Sequence, residues 1–230
     1  MKSKAILIPA RLHSTRYTNK MLVELDGKPM IKRVYDACMS TGYDTFVITD
    51  SMEIFSLFNS ENCWIEEKPY ENGTARCAGA ISNRFFKAYN TFINVQGDMP
   101  DVTPEMINQC VEWLKYYSVS TVYTTMRKEE QDRPESVKMV RAGDKALWFG
   151  RGMTGYGDWH LGVYGYRRDA LEMYPNLEIP IEEDVEKLEQ LRWLKNGWDI
   201  GCSHVEFNGT EINTKEDIHE WNYKNGLLNG

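Results

Sequence analysis

The sequence contains 230 residues, with 27 lysines and arginines against 34 aspartates and glutamates, so its formal net charge at pH 7 is −7. This acidic balance argues against non-specific binding to nucleic acid, and no apolar run approaches the roughly 20 residues that a membrane-spanning helix needs. Five scattered cysteines without Cys-x-x-Cys spacing favour buried thiols in a cytoplasmic protein over a disulfide framework or a zinc site.

The first predicted element is a short buried strand over residues 5–8, which we expect to stop at Pro9 because proline lacks the backbone donor that a central strand uses. The loop after it carries three cations, Arg11, Arg16 and Lys20. Ligands of α/β folds bind at the carboxyl edge of the sheet, and arginine and lysine together suit a polyphosphate. A solvated basic loop is the alternative, but the acidic balance of the chain favours an anion site.

The rest of the chain alternates between helix-like and strand-like patterns. Strands are predicted over 45–49, 63–65, 91–95, 119–125, 159–166 and 200–207, with a hairpin of 137–140 and 146–149. Helices are predicted over 29–42, 51–58, 73–83, 104–114, around Leu171, over 181–196 as the strongest of all, and over 214–223. The glycine-rich stretch 150–157 suggests a mobile flap or a tight crossing. This order predicts one α/β domain over 1–230 with a mixed, mostly parallel sheet and helices on both faces.

Two charged residues stand out in this order. Arg76 falls in the first turn of a predicted helix, where a cation is unfavourable, so it indicates anion binding more than a solvated surface position. Asp98 follows the strand 91–95 on the same sheet edge as the cationic loop. Mg²⁺ bound to a triphosphate takes one or two protein carboxylates, although a simple turn aspartate explains this position equally well.

An ordered set of short motifs over residues 5–218 resembles the 3-deoxy-manno-octulosonate cytidylyltransferases, which are sugar nucleotidyltransferases. The motifs are Ile8-Pro9-Ala10-Arg11 with Ser14-Thr15-Arg16 and Lys20, Gly27-Lys28-Pro29-Met30-Ile31, Gly73-Thr74 with Arg76, Asn94-Val95-Gln96-Gly97-Asp98 with Pro100, His160-Leu161-Gly162, Tyr164-Gly165-Tyr166-Arg167, Leu188-Glu189-Gln190-Leu191-Arg192, and Gly209-Thr210 with Thr214, Glu216 and Asp217. The resemblance implies a nucleotide-diphospho-sugar transferase-like, Rossmann-like fold. It also implies transfer of CMP from CTP to a 2-keto-3-deoxy sugar acid, with release of pyrophosphate, by a Mg²⁺-dependent homodimer.

The same resemblance implies roles for individual residues and a sugar-binding and dimerisation portion around 145–200. The implied nucleotide site consists of Pro9, Ala10, Arg11, Ser14, Lys20, Arg76 and Gln96, with Arg11, Lys20 and Asp98 as the catalytic residues. The implied sugar-acid site consists of Arg16, Gln96, Arg151, His160, Tyr164, Glu189 and Gln190, and the implied metal positions are Asp98 and Asn213. From the pattern alone, Glu189 and Gln190 would be solvated and Tyr164 would be core.

Several positions depart from the family pattern. Met99 stands where an acidic residue usually follows the metal aspartate, the segment between Arg151 and His160 is short, and Asn213 replaces a late metal aspartate. Three hypotheses therefore remain open. The chain is an active transferase for 3-deoxy-manno-octulosonic acid or a related ulosonic acid, a transferase for another sugar such as a sialic-acid-type substrate, or a nucleotide-binding relative with little turnover.

Overall fold

The computed structural model describes residues 4–12 and 19–227. The strands are β1 (Lys4–Ala10), β2 (Glu24–Leu25), β3 (Lys28–Pro29), β4 (Asp44–Thr49), β5 (Cys63–Ile65), β6 (Thr91–Val95), β7 (Val119–Thr124), β8 (Lys138–Ala142), β9 (Lys145–Gly150), β10 (Asp158–Arg167) and β11 (Ile200–His204). The helices are α1 (Met30–Met39), α2 (Met52–Phe55), α3 (Gly73–Ile81), α4 (Pro104–Trp113), α5 (Arg168–Met173), α6 (Ile181–Glu186), α7 (Leu191–Lys195) and α8 (Lys215–Lys224). Short 3₁₀ turns cover Lys20–Leu22, Arg84–Ala88, Lys128–Glu130 and Tyr174–Asn176.

Nine strands form one mixed sheet in the order β5-β4-β1-β6-β10-β7-β11-β9-β8, and β10 also pairs with β8. In this spatial order the first four strands, β5, β4, β1 and β6, run parallel to one another. The second half is antiparallel around β10, except that β11 runs parallel to β7. The predicted mixed α/β sheet is confirmed, but the expectation of a mostly parallel sheet is wrong. In the described residues four pairings of this sheet are parallel and five are antiparallel, because β10 lies antiparallel between β6 and β7 and β8 and β9 form a hairpin.

Helices cover both faces of this sheet. On β1, Ile6 and Ile8 point into the core beneath α1, α4 and α8, whereas Leu7 points into the core beneath α3, α5 and α7. A strand that is buried on both faces is apolar throughout, because successive side chains alternate between the faces. Burying each such side chain stabilises the fold by about 1.5–3 kcal/mol. The predicted two-sided arrangement is therefore confirmed.

The first strand does not stop at Pro9, as the sequence suggested, but continues to Ala10. Pro9 aligns with Ile48 of β4, whereas the ladder between β1 and β6 ends at Leu7. From residue 8 onward β1 has a partner strand on one side only. Proline is tolerated there because no second ladder needs its missing N–H.

The predicted long helix over 181–196 is wrong, because the chain forms two short helices, α6 and α7, instead. The backbone at Lys187 is left-handed, with φ of 54°, and this ends α6. The break lets the buried Arg192 donate from Nε and Nη2 to the carboxylate of Glu183, at 2.7 and 2.6 Å. Val185, which the pattern placed on the apolar face, is 75% exposed. Apolar spacing alone could not reveal a turn made by a lysine and a buried ion pair.

Local signals at other helix ends are confirmed. Thr214 and Asp217 form a reciprocal capping box at the start of α8, and Ser51 caps α2. The glycine-rich stretch makes a tight crossing at Gly157, where a Cβ atom would lie 3.2 Å from Lys138 Cβ and 3.3 Å from the carbonyl oxygen of Met139. All five cysteines are buried and unpaired. No helix in the two described segments is both long and apolar enough to cross a membrane.

Candidate active site

The candidate site lies where β1, β4 and β6 end. These strands are parallel neighbours, so the residues that follow them meet at one edge of the sheet. Arg11 comes directly after β1 and is exposed, Asp50 follows β4, and the turn that contains Asp98 follows β6. Ser14 and Arg16, which belong to the predicted phosphate and sugar-acid contacts, lie outside the described residues.

Lys20 and Asp98, both predicted as catalytic, are in direct contact. Lys20 Nζ lies 2.6 Å from Asp98 Oδ2, and the side chains are 9% and 26% exposed. Just before Lys20, Asn19 N donates to the carbonyl oxygen of Leu12 at 3.2 Å. Asn19 is left-handed, with φ of 59°, which asparagine tolerates better than most residues. The buried ammonium group needs a counter-ion, and Asp98 supplies it while keeping part of its surface open.

Arg76 is buried in α3 and its guanidinium is already paired. Nη2 donates to Asp50 Oδ2 at 2.6 Å, and Nη1 donates to the carbonyl oxygen of Glu66 at 3.1 Å. The partner Asp50 was not foreseen, because its place after a strand and beside Ser51 indicated only a helix N-cap. Arg76 therefore lies at the predicted edge, and its charge is balanced by a carboxylate that is about one-third exposed.

Pro9, Gln96 and Gly73 pack against one another at the centre of the edge. A Cβ atom on Gly73 would lie 2.9 Å from Gln96 Nε2 and 3.2 Å from Pro9 Cγ, so no larger residue fits without movement. Gln96 Nε2 also donates to Glu189 Oε1 at 3.3 Å. This contact joins two predicted nucleotide residues, Pro9 and Gln96, to a predicted sugar-acid residue.

Glu189 is held at the N-terminus of α3, not solvated as its sequence pattern suggested. Its carboxylate accepts hydrogen bonds from Thr74 N at 3.1 Å and Thr74 Oγ1 at 3.0 Å. Burial raises the pKa of Glu189, while the donors of Thr74 and Gly73 oppose that shift. A carboxylate is favourable at this end of a helix because the helix dipole is positive there. The break before α7 is what turns Glu189 inward.

His160 and Tyr164 are buried neighbours on β10. His160 Nε2 lies 2.9 Å from Thr121 Oγ1, and its ring centroid is 5.3 Å from that of Tyr164. Burial, and after it the positive charge of Arg151, lower the pKa of His160 to about 3. Burial also raises the pKa of Tyr164 well above its usual value. His160 is therefore a neutral hydrogen-bonding group at physiological pH, and its lowered pKa makes it a weak base.

Arg151 and Gln190 differ in whether their side-chain nitrogen atoms find hydrogen-bond acceptors. Arg151 Nη1 donates to the carbonyl oxygens of Pro134 and Glu135, each at 3.0 Å, and Nε donates to the carbonyl oxygen of Glu186 at 3.0 Å. Its guanidinium thus ties two loops together beside the site. Gln190 is 2% exposed, and its Nε2 finds no acceptor in the described part of the chain. A buried donor without an acceptor is costly, and a bound ligand would relieve that cost.

The segment before α8 carries a residue that the sequence reading passed over. Asn213 N donates to Asp217 Oδ2 at 2.7 Å as part of the helix cap. Two residues earlier, the half-buried Glu211 accepts a hydrogen bond on its carboxylate from the backbone of Gly162. Burial first, and then repulsion from Asp98, raise the pKa of Glu211 to about 8. The signal that could have found it is an acidic residue two positions before the lost aspartate, because residues i and i+2 of an extended chain share a side.

Comparison with known proteins finds relatives that are similar to this chain in sequence and in fold. A family model described as cytidylyltransferase matches residues 5–200. A 3-deoxy-manno-octulosonate cytidylyltransferase of Koribacter versatilis is 35% identical over 94% of this chain and 87% of its own length. An 8-amino-3,8-dideoxy-manno-octulosonate cytidylyltransferase of a Shewanella species is also 35% identical, over 94% of this chain and 95% of its own. The solved structure of a CMP:2-keto-3-deoxy-manno-octonic acid synthetase in complex with CTP superposes with a TM-score of 0.86 at 27% identity, covering 98% of this chain and all of that one.

Proposed function

The chain belongs to the cytidylyltransferase family, and we propose that it transfers CMP from CTP to 3-deoxy-manno-octulosonic acid or a closely related sugar acid, with Mg²⁺ as cofactor. The observation that carries this proposal is the contact between Lys20 and Asp98 at the edge where β1 and β6 end. It puts a cation suited to phosphate and a carboxylate suited to a metal side by side at this edge of the sheet.

In the proposed reaction the anomeric hydroxyl oxygen of the sugar acid attacks the α-phosphorus of CTP. A new P–O bond forms, the bond to the β-phosphate oxygen breaks, and pyrophosphate leaves with that electron pair, while the hydroxyl proton passes to solvent. Such a transfer depends on positioning and on neutralising charge, with little covalent work for the protein. We assign Arg11 and Lys20 to the triphosphate, with Pro9, Ala10 and Arg76 at the nucleotide site.

The donor set at the edge fits a magnesium ion. Asp98 offers a partly exposed carboxylate, while no group of three His, Cys, Asp or Glu side chains arranged to hold a metal is found within residues 4–12 and 19–227. Mg²⁺ often takes one or two protein carboxylates and completes its shell with phosphate oxygens and water. Bound there, it would neutralise charge on the triphosphate, with Asp98 as its principal protein ligand.

We assign binding of the sugar acid to five polar side chains, namely Gln96, His160, Tyr164, Glu189 and Gln190. The neutral His160 and the unsatisfied donor of Gln190 support this role, because a polyhydroxylated sugar offers acceptors as well as donors. Glu189, held by Thr74, would accept from a sugar hydroxyl. Arg151 would act indirectly, by holding together the loops of Pro134, Glu135 and Glu186.

The test is release of pyrophosphate from CTP over a panel of acceptors. We expect turnover with 3-deoxy-manno-octulosonic acid and its 8-amino analogue, which relatives of equal similarity are named for, and loss of turnover when EDTA removes Mg²⁺. Activity only with a sialic-acid-type sugar would mean that the CMP acceptor is such a sugar and not 3-deoxy-manno-octulosonic acid. CTP binding without turnover on any acceptor would indicate a relative that has lost its activity.

We also propose that the enzyme acts as a homodimer in the cytoplasm. Ile179, Ile181 and Val185 are 54%, 78% and 75% exposed within the predicted 145–200 portion, and such apolar patches are typical of interfaces. The five buried, unpaired thiols suit a reducing compartment. Light scattering should give twice the chain mass for the parent. The double variant Ile181→Glu and Val185→Glu should give a monomer, and a monomeric parent would contradict the dimer.

A further inference from the structure

Asn213 cannot contribute a charge to a cation, and the segment that carries it offers another carboxylate. We infer that Glu211 takes the place of the missing aspartate and, together with Asp98, holds the catalytic divalent cation. This inference rests on the proposed Mg²⁺-dependent transfer. It assigns to Glu211 a role as metal ligand beside the triphosphate.

The first argument is that the segment 209–212 is fixed onto the loop of Asp98. Ile212 N donates to the carbonyl oxygen of Asp98 at 3.0 Å, and Thr210 N donates to Asp101 Oδ2 at 2.9 Å. Arg127 Nη2 donates to the carbonyl oxygen of Gly209 at 3.0 Å. Glu211 is held between these anchors, so its position relative to Asp98 is set by the backbone and not by a free loop.

The second argument is the side of the extended segment 210–213 from which the Glu211 side chain projects. Thr210 and Ile212 are buried, at 3% and 0% exposure, whereas Glu211 and Asn213 both keep partial exposure. This alternation is that of an extended chain, in which residues i and i+2 lie on one side. A glutamate at 211 therefore presents its carboxylate on the same side as residue 213. Its extra methylene, compared with aspartate, extends its reach along the segment.

The third argument is the surroundings of the carboxylate. The backbone of Gly162 donates a hydrogen bond to it, and Asp98 lies close enough to repel it. The Lys20 ammonium group lies 2.6 Å from Asp98 Oδ2. This contact shows that a positive charge is accommodated beside that carboxylate. Arg151 opposes the upward shift in the pKa of Glu211 but does not cancel it. A divalent ion bound by both carboxylates would remove the repulsion between them.

The experiment measures how much Mn²⁺, a probe for the divalent site, tightens CTP binding in calorimetry without sugar acid. In the parent the ratio of the CTP dissociation constants without and with Mn²⁺ defines the tightening. In Glu211→Gln we expect this ratio to fall at least about tenfold, as is common when support for a metal is removed. Without Mn²⁺, Glu211→Gln should bind CTP as well as the parent or better, because a negative charge facing the triphosphate is gone.

Two matched variants complete the design. Glu206→Gln removes a charge from an exposed residue of the same strand exit and should leave the ratio unchanged. Adding Asn213→Asp to Glu211→Gln should restore most of the tightening, because the carboxylate returns on the same side. If Glu211→Gln lowers the melting temperature too far for calorimetry, Glu211→Asp, which keeps the charge but withdraws it by one methylene, should also reduce the ratio.

Parental tightening in Glu211→Gln would overturn the inference and leave the proposed function intact. Equal weakening of CTP binding with and without Mn²⁺ would do the same, because it indicates a purely structural role. If the parent itself shows no tightening by Mn²⁺, then the metal dependence in the proposed function fails, and this inference fails with it.

Discussion

Ionisable side chains lie in different surroundings in the parallel and the antiparallel half of the sheet. At the edge of the parallel half, opposite charges lie in contact and partly open to solvent, as in the pairs of Lys20 with Asp98 and Arg76 with Asp50. On β10 in the antiparallel half, burial disfavours charge, because it lowers the pKa of His160 and raises that of Tyr164. The difference teaches that one half is suited to exchange ionic partners with a triphosphate and a cation. The other half is suited to hydrogen-bond a polyhydroxylated ligand.

The variant expected to break this comparison most strongly is Asp98→Asn. Removing the negative charge should lower kcat by about 100-fold or more, as is typical when one charge-stabilising group is lost from a transition state. Lys20 can still donate to the amide oxygen but loses its counter-ion, so the free energy of unfolding should fall by about 1.5–3 kcal/mol without loss of folding. Steady-state kinetics and thermal melting measure the two effects. A variant that fails to fold would show that Asp98 chiefly holds the turn.

Removing the cations of the first half should weaken nucleotide binding next most strongly. Arg11→Ala and Lys20→Ala should each cost roughly 1.5–3 kcal/mol in CTP affinity, because each removes a charge-assisted contact to phosphate. The control is Lys28→Ala, which removes an exposed lysine that pairs with Asp36 away from the site. Calorimetry with Mg²⁺ present checks this. CTP binding at parental affinity in both variants would remove the nucleotide from this edge.

Titration sharpens the comparison in the second half. The pKa of His160 is lowered in the folded protein to about 3, from 6.5 in the unfolded chain, so the unfolded state takes up the proton first. Stability from His160 is therefore fully present above pH 6.5 and is lost as the pH falls toward 3, by about 2 kcal/mol between pH 7 and pH 5. Urea unfolding of the parent and of His160→Gln should show this difference. The exposed His219→Gln should not alter the pH dependence.

The smallest expected effect is that of Asn213→Asp in the parent. A further carboxylate should lower the Mg²⁺ concentration for half-maximal rate by only about two- to fivefold, because Mg²⁺ already has phosphate oxygens and Asp98 as partners. The acceptor preference should stay the same. A Mg²⁺ titration at saturating CTP checks both points, and an unchanged or higher requirement would mean that residue 213 faces away from the metal.

Short-range signals in the sequence predicted much of the fold. The capping box of Thr214 and Asp217 and the proline at the start of α4 are fixed by residues within one turn, so a pattern can identify them. The mixed sheet followed from the alternation of elements in the same way. The parts that were wrong depend on distant partners. The break at Lys187 accompanies the ion pair of Arg192 with Glu183, and the extent of β1 depends on where β6 stops.

The same contrast between short-range signals and distant partners applies to the residues of the candidate site. The sequence indicated Lys20 and Asp98 because both follow strands that end at one edge, and the structure places them in contact. It did not indicate that Glu189 would be turned inward onto Thr74, which is 115 residues away in the chain. It also passed over Glu211, whose neighbour Asp98 comes from another strand end. Residues brought together over such distances need the fold before their chemistry can be read.

The contact between Lys20 and Asp98 also has a consequence for which anions the enzyme tolerates. An inorganic phosphate or sulfate ion that approaches Lys20 has to displace a carboxylate only 2.6 Å away, and it leaves Asp98 uncompensated when it does so. In the proposed function, a nucleoside triphosphate that arrives with its own Mg²⁺ would offer Asp98 a new partner in the same step. We therefore expect small free anions to compete poorly at Lys20, and a metal-bound nucleotide to separate the pair.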